Sequence, residues 1–324
     1  MSGVVSRSTP GFRRSFKVPN ADALRWFPGH MDKGLKQIES KLSVVDCVIE
    51  VHDARVPLSS RNPNFRHTVL GNKPHLLVLN KKDLTDMRWQ KEVDERLKSE
   101  HGISDVLYTC CKNDRDKNVD QVVPKAIELI SQSPRFNRED SEEMNLMIIG
   151  VPNVGKSSLI NRIRNKVLKK RNSNPVGAEP GITRSVMNRV KVSASPLVFL
   201  YDTPGILSPN IKNAETGLRL ALCACIKDHL IGIEVIADYL LYTLNKHGNF
   251  KYVEMMGLEG PTDNIGTLLT KGAMKMDKYE KRRSHEGYIN RPHLSAAAEI
   301  FVRAFRDNKF GPVMLDSDLL TNNN

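Results

Sequence analysis

The apolar stretch Leu146–Ile149 runs straight into Gly150-Val151-Pro152-Asn153-Val154-Gly155-Lys156-Ser157, and a helical pattern begins near Lys156. A glycine-rich turn between a strand and a helix narrows the choice of folds sharply. It gathers backbone N–H groups around an anion at the start of the helix, and it belongs at the end of a strand in an α/β sheet. In such a loop Lys156 brings a point charge to the β and γ phosphates of a nucleotide, and Ser157 offers its hydroxyl to Mg²⁺. Asn153, Val154, Gly155 and Ser158 complete the candidate phosphate contacts. The loop alone does not choose between adenine and guanine.

That choice is carried upstream. The apolar run Val44–Val51 ends at His52 and Asp53, and a second, His75–Leu79, opens into Asn80, Lys81, Lys82 and Asp83. Helical patterns at Trp89–Glu100 and Asp120–Ile130 flank a third strand, Val106–Thr109, which gives a βαβ rhythm. A fixed carboxylate at Asp83 can accept hydrogen bonds from guanine N1–H and the exocyclic amine, donors that adenine does not present together. Lys81 would lie along the base, and Asn80 would tie this loop to its neighbours. A metabolic ATPase is disfavoured by Asp83.

Downstream, Val190–Val192 and Leu197–Tyr201 read as strands, the second ending in Asp202-Thr203-Pro204-Gly205. Asp202 can orient Mg²⁺ through water, and the Gly205 N–H can sense a γ phosphate. Thr183, within Pro180–Arg184, is the candidate switch hydroxyl for Mg²⁺, with Ser185 as its local competitor. The order is therefore guanine reader, phosphate loop, first switch, second switch. A circular permutation explains it: the linker 131–143 replaces the usual termini, and new ends open near Ala54 and Gly205. The fold class expected is α/β, a circularly permuted P-loop G domain with a three-layer, mostly parallel sheet and a smaller all-α C-terminal domain. The boundaries are a basic segment at 1–24, the G domain at 25–207 and the helical domain at 208–324.

Composition narrows the partners. The chain of 324 residues carries a net charge of +12, and no stretch approaches the roughly 18 apolar residues that span a bilayer. From Asn161 to Ser195 there are nine basic residues and a single acid, Glu179, whereas 208–324 holds 15 basic and 14 acidic residues. A basic run beside a nucleotide switch favours phosphate-backbone contact over a solvated loop. The five cysteines, at 47, 110, 111, 223 and 225, lack zinc-ligand spacing and read as reduced thiols. Residues 1–20 contain Arg7, Arg13, Arg14 and Lys17 and no acid, and Pro10 and Pro19 interrupt any long amphipathic helix, so they read as an organelle transit segment or a disordered basic tail.

Trp26-Phe27-Pro28-Gly29-His30-Met31, Asp53-Ala54-Arg55-Val56-Pro57, Asn80–Asp83, Gly150–Ser157, Pro180–Thr183 and Asp202–Gly205 together resemble the circularly permuted ribosome-assembly GTPases of the YlqF type. The resemblance runs from about Arg25 to Leu319. It implies GTP/GDP binding with Mg²⁺, hydrolysis of GTP, and a role in late maturation of the mitochondrial large ribosomal subunit through rRNA and ribosomal proteins. It further implies a matrix protein, peripheral to the inner membrane, and a monomer. The Ser-Ala of the family's second guanine-contact loop stands here as Thr109 and Cys110, so that role falls mainly to backbone. The family's phosphate-loop asparagine, here Asn153, helps hold K⁺. Ile206 occupies the place where many small GTPases carry a water-positioning Gln, and His30 is the candidate to orient water instead. With Lys156, Thr183 and Gly205 it makes up the candidate catalytic set. A nucleotide-gated RNA-binding factor with little hydrolysis is the alternative.

Overall fold

The computed structural model describes residues 11–18, 36, 38–61, 71, 73–135, 138–170, 189–203, 205, 211, 213–285 and 287–321. His30, Thr183, Ser185, Ile206 and Arg171 lie outside the described residues, as do the side chains of Lys169 and Lys170. The chain divides into two compact units, one formed by 27–210 with 313–324 and the other by 1–26 with 211–312.

The first unit is built on a six-stranded sheet. Its strands are β1 (Cys47–Asp53), β2 (His75–Asn80), β3 (Val106–Thr109), β4 (Glu143–Ile149), β5 (Arg189–Ala194) and β6 (Leu197–Asp202). They lie in the order β3-β2-β1-β4-β6-β5. All neighbours are parallel except β5, which pairs antiparallel with β6. β1 is buried along its whole length, as expected of a parallel strand covered on both faces. On one face Leu77 and Leu79 meet Val93 and Leu97 of helix α1 (Gln90–His101), together with Tyr108, Met314 and Leu320. On the same face Val48, Met147 and Ile149 pack with Ile38 and Val45. The opposite face carries α2 (Lys117–Ser131) and α3 (Lys156–Lys170). α2 buries Val119, Val122, Val123, Ala126 and Ile130, a spacing of three and four that makes one apolar stripe. Asp116 caps its start by accepting from the Asn118 N–H at 3.1 Å.

The sequence places β1 too early, at Val44, because Val44 and Val45 extend the apolar run; in fact Leu42–Val44 is a 3-10 turn. At the centre of the covered face Glu50 is fully buried. It receives Arg61 Nη1 at 2.6 Å and meets His52 Nε2 at 2.6 Å and His75 Nε2 at 2.9 Å. Burial would raise the Glu50 carboxyl, but Arg61 and His52 hold it well below the usual carboxylate range.

The second unit contains α4 (Ala214–Leu222), α5 (Asp228–Ile231), α6 (Ile233–Lys246), α7 (Tyr252–Met256), α8 (Ile265–Lys275) and α9 (Leu294–Arg306). α9 packs on α6 and α8, and Phe301 stacks edge-on against Tyr252 and Phe310. This unit is not wholly helical. Tyr279–Ser284 (β7) and Gly287–Pro292 (β8) pair as an antiparallel hairpin. Residues 11–18 pack here as well: the Arg13 guanidinium bridges Asp238 at 2.7 Å and Asp263 at 3.0 Å, and Phe16 lies against Tyr239 and Tyr242.

The end of the chain departs from the domain boundary expected at 208–324, since residues from Val313 onward belong with the sheet. The Val313 N–H donates to Leu84 O at 3.0 Å and the Leu315 N–H to Arg55 O at 2.9 Å. Asp316, fully buried, accepts from the Leu58 and Ser59 N–H groups, each at 2.8 Å, and from the Ser59 hydroxyl. Asp316→Ala strands those donors without solvent, so we expect a loss of about 2–4 kcal/mol. Thermal unfolding followed by circular dichroism checks this; an unchanged midpoint would make the clasp dispensable.

Candidate functional site

Parallel strands present their carboxyl ends together, and here the ends of β1, β2, β3, β4 and β6 carry Asp53, Asn80, Thr109, Ile149 and Asp202. The strand order reverses between β1 and β4, the crevice where open α/β sheets bind ligands. The phosphate loop leaves β4 at this point, and α3 begins at Lys156.

The loop after β2 is fastened to the glycine-rich loop after β4. Asn80 is 2% exposed; its Nδ2 donates to Val154 O at 2.8 Å, and its Oδ1 accepts from Thr109 Oγ1 at 3.2 Å and Cys111 N at 3.1 Å. The close approach needs glycine at 155: a Cβ there would stand 2.2 Å from Asn80 Nδ2, and the backbone φ is +100°. Lys81, itself left-handed at φ 62°, donates from Nζ to Asn153 O at 2.7 Å and pairs with Asp53 at 2.9 Å. Asp53 is also gripped by Arg55 through Nε at 2.9 Å and Nη2 at 2.8 Å. Burial would raise its carboxyl, yet Arg55 and Lys81 hold it below the ordinary range.

Asp83 lies in the turn Lys82–Leu84, exposed, with its carboxylate against the Cys110 thiol. Burial and that carboxylate push the thiol up, so Cys110 is a protonated neighbour of Asp83. Asp116, which the sequence reading missed, binds the Cys110 N–H at 2.6 Å and Lys82 Nζ at 2.8 Å. Its helix-capping position is visible before α2; its two tertiary bonds are not.

On the phosphate side Lys156 is buried, its Nζ donating to Gly150 O at 3.1 Å and Val151 O at 3.0 Å. Ser157 and Ser158 stand exposed on the first turn of α3. Burial pushes the Asp202 carboxyl up, opposed by the Lys156 charge. Thr203 Oγ1 donates to Ile148 O at 2.6 Å. Gly205 comes so close to the phosphate loop that a Cβ on it would lie 2.8 Å from Pro152 Cα. The structure thus brings together Asn80, Lys81, Asp83, Thr109, Cys110, Asn153, Val154, Gly155, Lys156, Ser157, Ser158, Asp202 and Gly205 along one sheet edge. His30 and Thr183 fall outside the described residues.

A cradle closed by glycine contacts, a lysine within it, and a carboxylate turn latched alongside fit a guanine nucleotide with its magnesium ion. The class is a P-loop G domain, circularly permuted. Residues 145–268 match the family described as 50S ribosome-binding GTPase. Mitochondrial GTPase 1 of Aedes aegypti is 55% identical over 309 residues, 95% of this chain and 98% of that protein. Mitochondrial ribosome-associated GTPase 1 of Xenopus tropicalis is 51% identical over 308 residues, 94% of this chain and 98% of that protein. The structure of GNP-bound YlqF from T. maritima aligns with a TM-score of 0.53 over 86% of this chain and 95% of that one, at 22% identity, a likeness of fold. The chain belongs to the mitochondrial ribosome-associated GTPase 1 family.

Asp83→Asn exchanges an acceptor for an amide that also donates. Discrimination between GTP and ITP should fall roughly 10-fold, the worth of one hydrogen bond to a charged group. Competition binding with GTP, ITP and XTP measures it; unchanged selectivity removes Asp83 from base reading.

Proposed function

We propose that this chain is a GTP-hydrolysing assembly factor for the mitochondrial large ribosomal subunit, whose nucleotide state controls association with the ribosome and its rRNA. The observation that carries the reading is the Asn80–Val154 bond, which joins a base reader to a phosphate cradle at the switch point of the sheet. The names and extent of the similar proteins support the ribosomal and mitochondrial parts. A matrix location, peripheral to the inner membrane, is consistent with the absence of any described helix long and apolar enough to cross a membrane. A monomer acting on rRNA and ribosomal proteins completes the reading.

In this reading Asp83 accepts from the guanine, Lys81 lies along the base, and the backbone at Thr109 and Cys110 closes the far side. Backbone N–H groups of 153–158 and the Lys156 ammonium hold the β and γ phosphates. Ser157, Thr183 and Asp202, the last through water, would hold Mg²⁺, and the ion would supply charge neutralisation to the phosphates. The Gly205 N–H reads the γ phosphate, and its loss on hydrolysis frees the loop after β6. Asn153 helps hold K⁺, a further cation beside the charge that develops in transfer.

Turnover should be faster in KCl than in NaCl at equal concentration, and Asn153→Ala should shrink that difference. Equal phosphate release in the two salts would discard the potassium site.

Ile206 has no polar group, so the attacking water needs another partner, and we assign that role to His30, acting when the subunit is engaged. His30→Ala should keep GTP binding and lower subunit-stimulated turnover by roughly 10-fold or more. Phosphate release with and without purified large subunits tests this, after equal subunit binding is established. Equal stimulated rates would remove His30 from catalysis. Because of Ile206 a second reading stands beside the first, a nucleotide-gated RNA-binding factor with little hydrolysis; no stimulation of the wild type would favour it.

A further inference from the structure

The hairpin of β7 and β8 has two faces of different chemistry. In an antiparallel pair, directly opposed residues share a face. The register pairs Tyr279 with Pro292, Lys281 with Asn290 and Arg283 with Tyr288. One face therefore carries Tyr279, Lys281, Arg283, Tyr288 and Asn290, all exposed and without an acid among them. The other face holds Glu280, Arg282, Ile289 and Arg291, and there Arg282 is paired with Glu280 at 2.7 Å. The acid of the two strands, Glu280, thus sits on the face away from Tyr279, and among the described residues Lys281 and Arg283 make no ion pair.

Tyr288 is 76% exposed and Tyr279 is 45% exposed, so most of the first side chain and nearly half of the second face solvent. A single exposed aromatic needs no explanation. Two aromatics bracketing two cations on one ribbon face do, since that combination binds unpaired nucleic acid: rings stack on bases and cations meet the phosphates. Same-face residues recur about every 6.8 Å, so Tyr279 to Arg283 spans about 14 Å of strand. The near-neutral total of the C-terminal region conceals this face because its acids are elsewhere.

We propose that the Tyr279, Lys281, Arg283, Tyr288 and Asn290 face of the hairpin is a docking site for unpaired RNA, with bases stacked on the two tyrosines and phosphates on Lys281 and Arg283. This deepens the reading of the chain as a ribosome-assembly factor. It names the form of RNA and the residues that hold it. A duplex offers no free base faces to the tyrosines, so the site distinguishes single strands and loops from helices.

The test uses the full chain and a fluorescently labelled, mixed-sequence single-stranded RNA, with the same strand in a duplex for comparison and anisotropy as the readout. Tyr288→Ala should weaken single-strand binding roughly 10-fold, within the range for losing one stacking platform, and leave the duplex nearly unchanged. Lys281→Ala with Arg283→Ala should lower the magnitude of the log-log salt slope by about 1.4, or about 0.7 for each phosphate contact. Arg282→Ala, which removes a charge from the opposite face, should leave both unchanged. Unaltered GTP binding and circular dichroism establish that the variants fold. Wild-type affinity in Tyr288→Ala, or an equal loss in Arg282→Ala, would overturn the proposal. Normal oligonucleotide binding with lost binding to purified large subunits would also overturn it and make the face a protein contact. Since the oligonucleotide assay contains no ribosome, failure of the wider assembly role leaves its outcome independent.

Discussion

Asn80 does the joining on which the site depends. From the end of β2 its amide donates to the phosphate loop and accepts from Thr109 and Cys111 at the end of β3, so one side chain holds three loops. With so little solvent access, each bond lost leaves a polar group unsatisfied, at a cost of about 1–3 kcal/mol. The partners are far apart in the chain; Asn80 and Val154 are separated by 74 residues. Lys81 repeats the connection one residue later, reaching Asn153 O. The distance between the loop after β2 and the glycine-rich loop after β4 is thereby fixed by hydrogen bonds rather than by chain order, which is compatible with a permuted order.

Permutation changes what each loop is attached to. β1 and β4 are parallel neighbours at the centre of the sheet, joined in sequence through β2, β3 and the linker after α2. The loop after β6, with Asp202 and Gly205, continues directly into the helical unit at Ile211. The chain leaves that unit at Pro312 and returns to the sheet, where Val313 binds Leu84 O and Asp316 binds Leu58 and Ser59. Residues 211–312 are therefore an insertion in the chain between the end of β6 and a clasp on the loops that follow β1 and β2.

Motif residues were legible because their chemistry is local: Gly155, Lys156 and Ser157 sit in one loop, and Asn80, Lys81 and Asp83 in another. Strand ends were legible for the same reason, since apolar runs stop where polar groups begin, as at Asn80 and Asp202. Asp316 was not, because its donors lie 257 and 258 residues away and nothing near it marks a clasp. The partners of Glu50 were equally hidden: Arg61 and His75 look like surface polar residues until β1 and β2 pair. The hairpin was missed for a different reason. It is a short pair of strands between α8 and α9, whose helical periods set the reading of the whole region, and its cations are hidden in a regional total of 15 basic and 14 acidic residues over 208–324.

Charge is spent differently in the two units. On β1 the carboxylates of Glu50 and Asp53 are fully buried, and each is surrounded by cations or imidazoles. Desolvation makes such pairs a poor source of stability, but removing one partner leaves a buried charge, so the geometry is strongly enforced. For Asp53 the group so enforced is Lys81, whose left-handed backbone and reach to Asn153 O depend on a fixed anion beside it. On the hairpin the reverse holds. Lys281 and Arg283 stay exposed and Tyr288 stands out in solvent, so nothing in the fold is gained by keeping them there. Buried charge positions the loops that hold a small ligand, where fractions of an ångström matter; exposed charge on a ribbon suits a flexible polyanion, which conforms to the surface it meets.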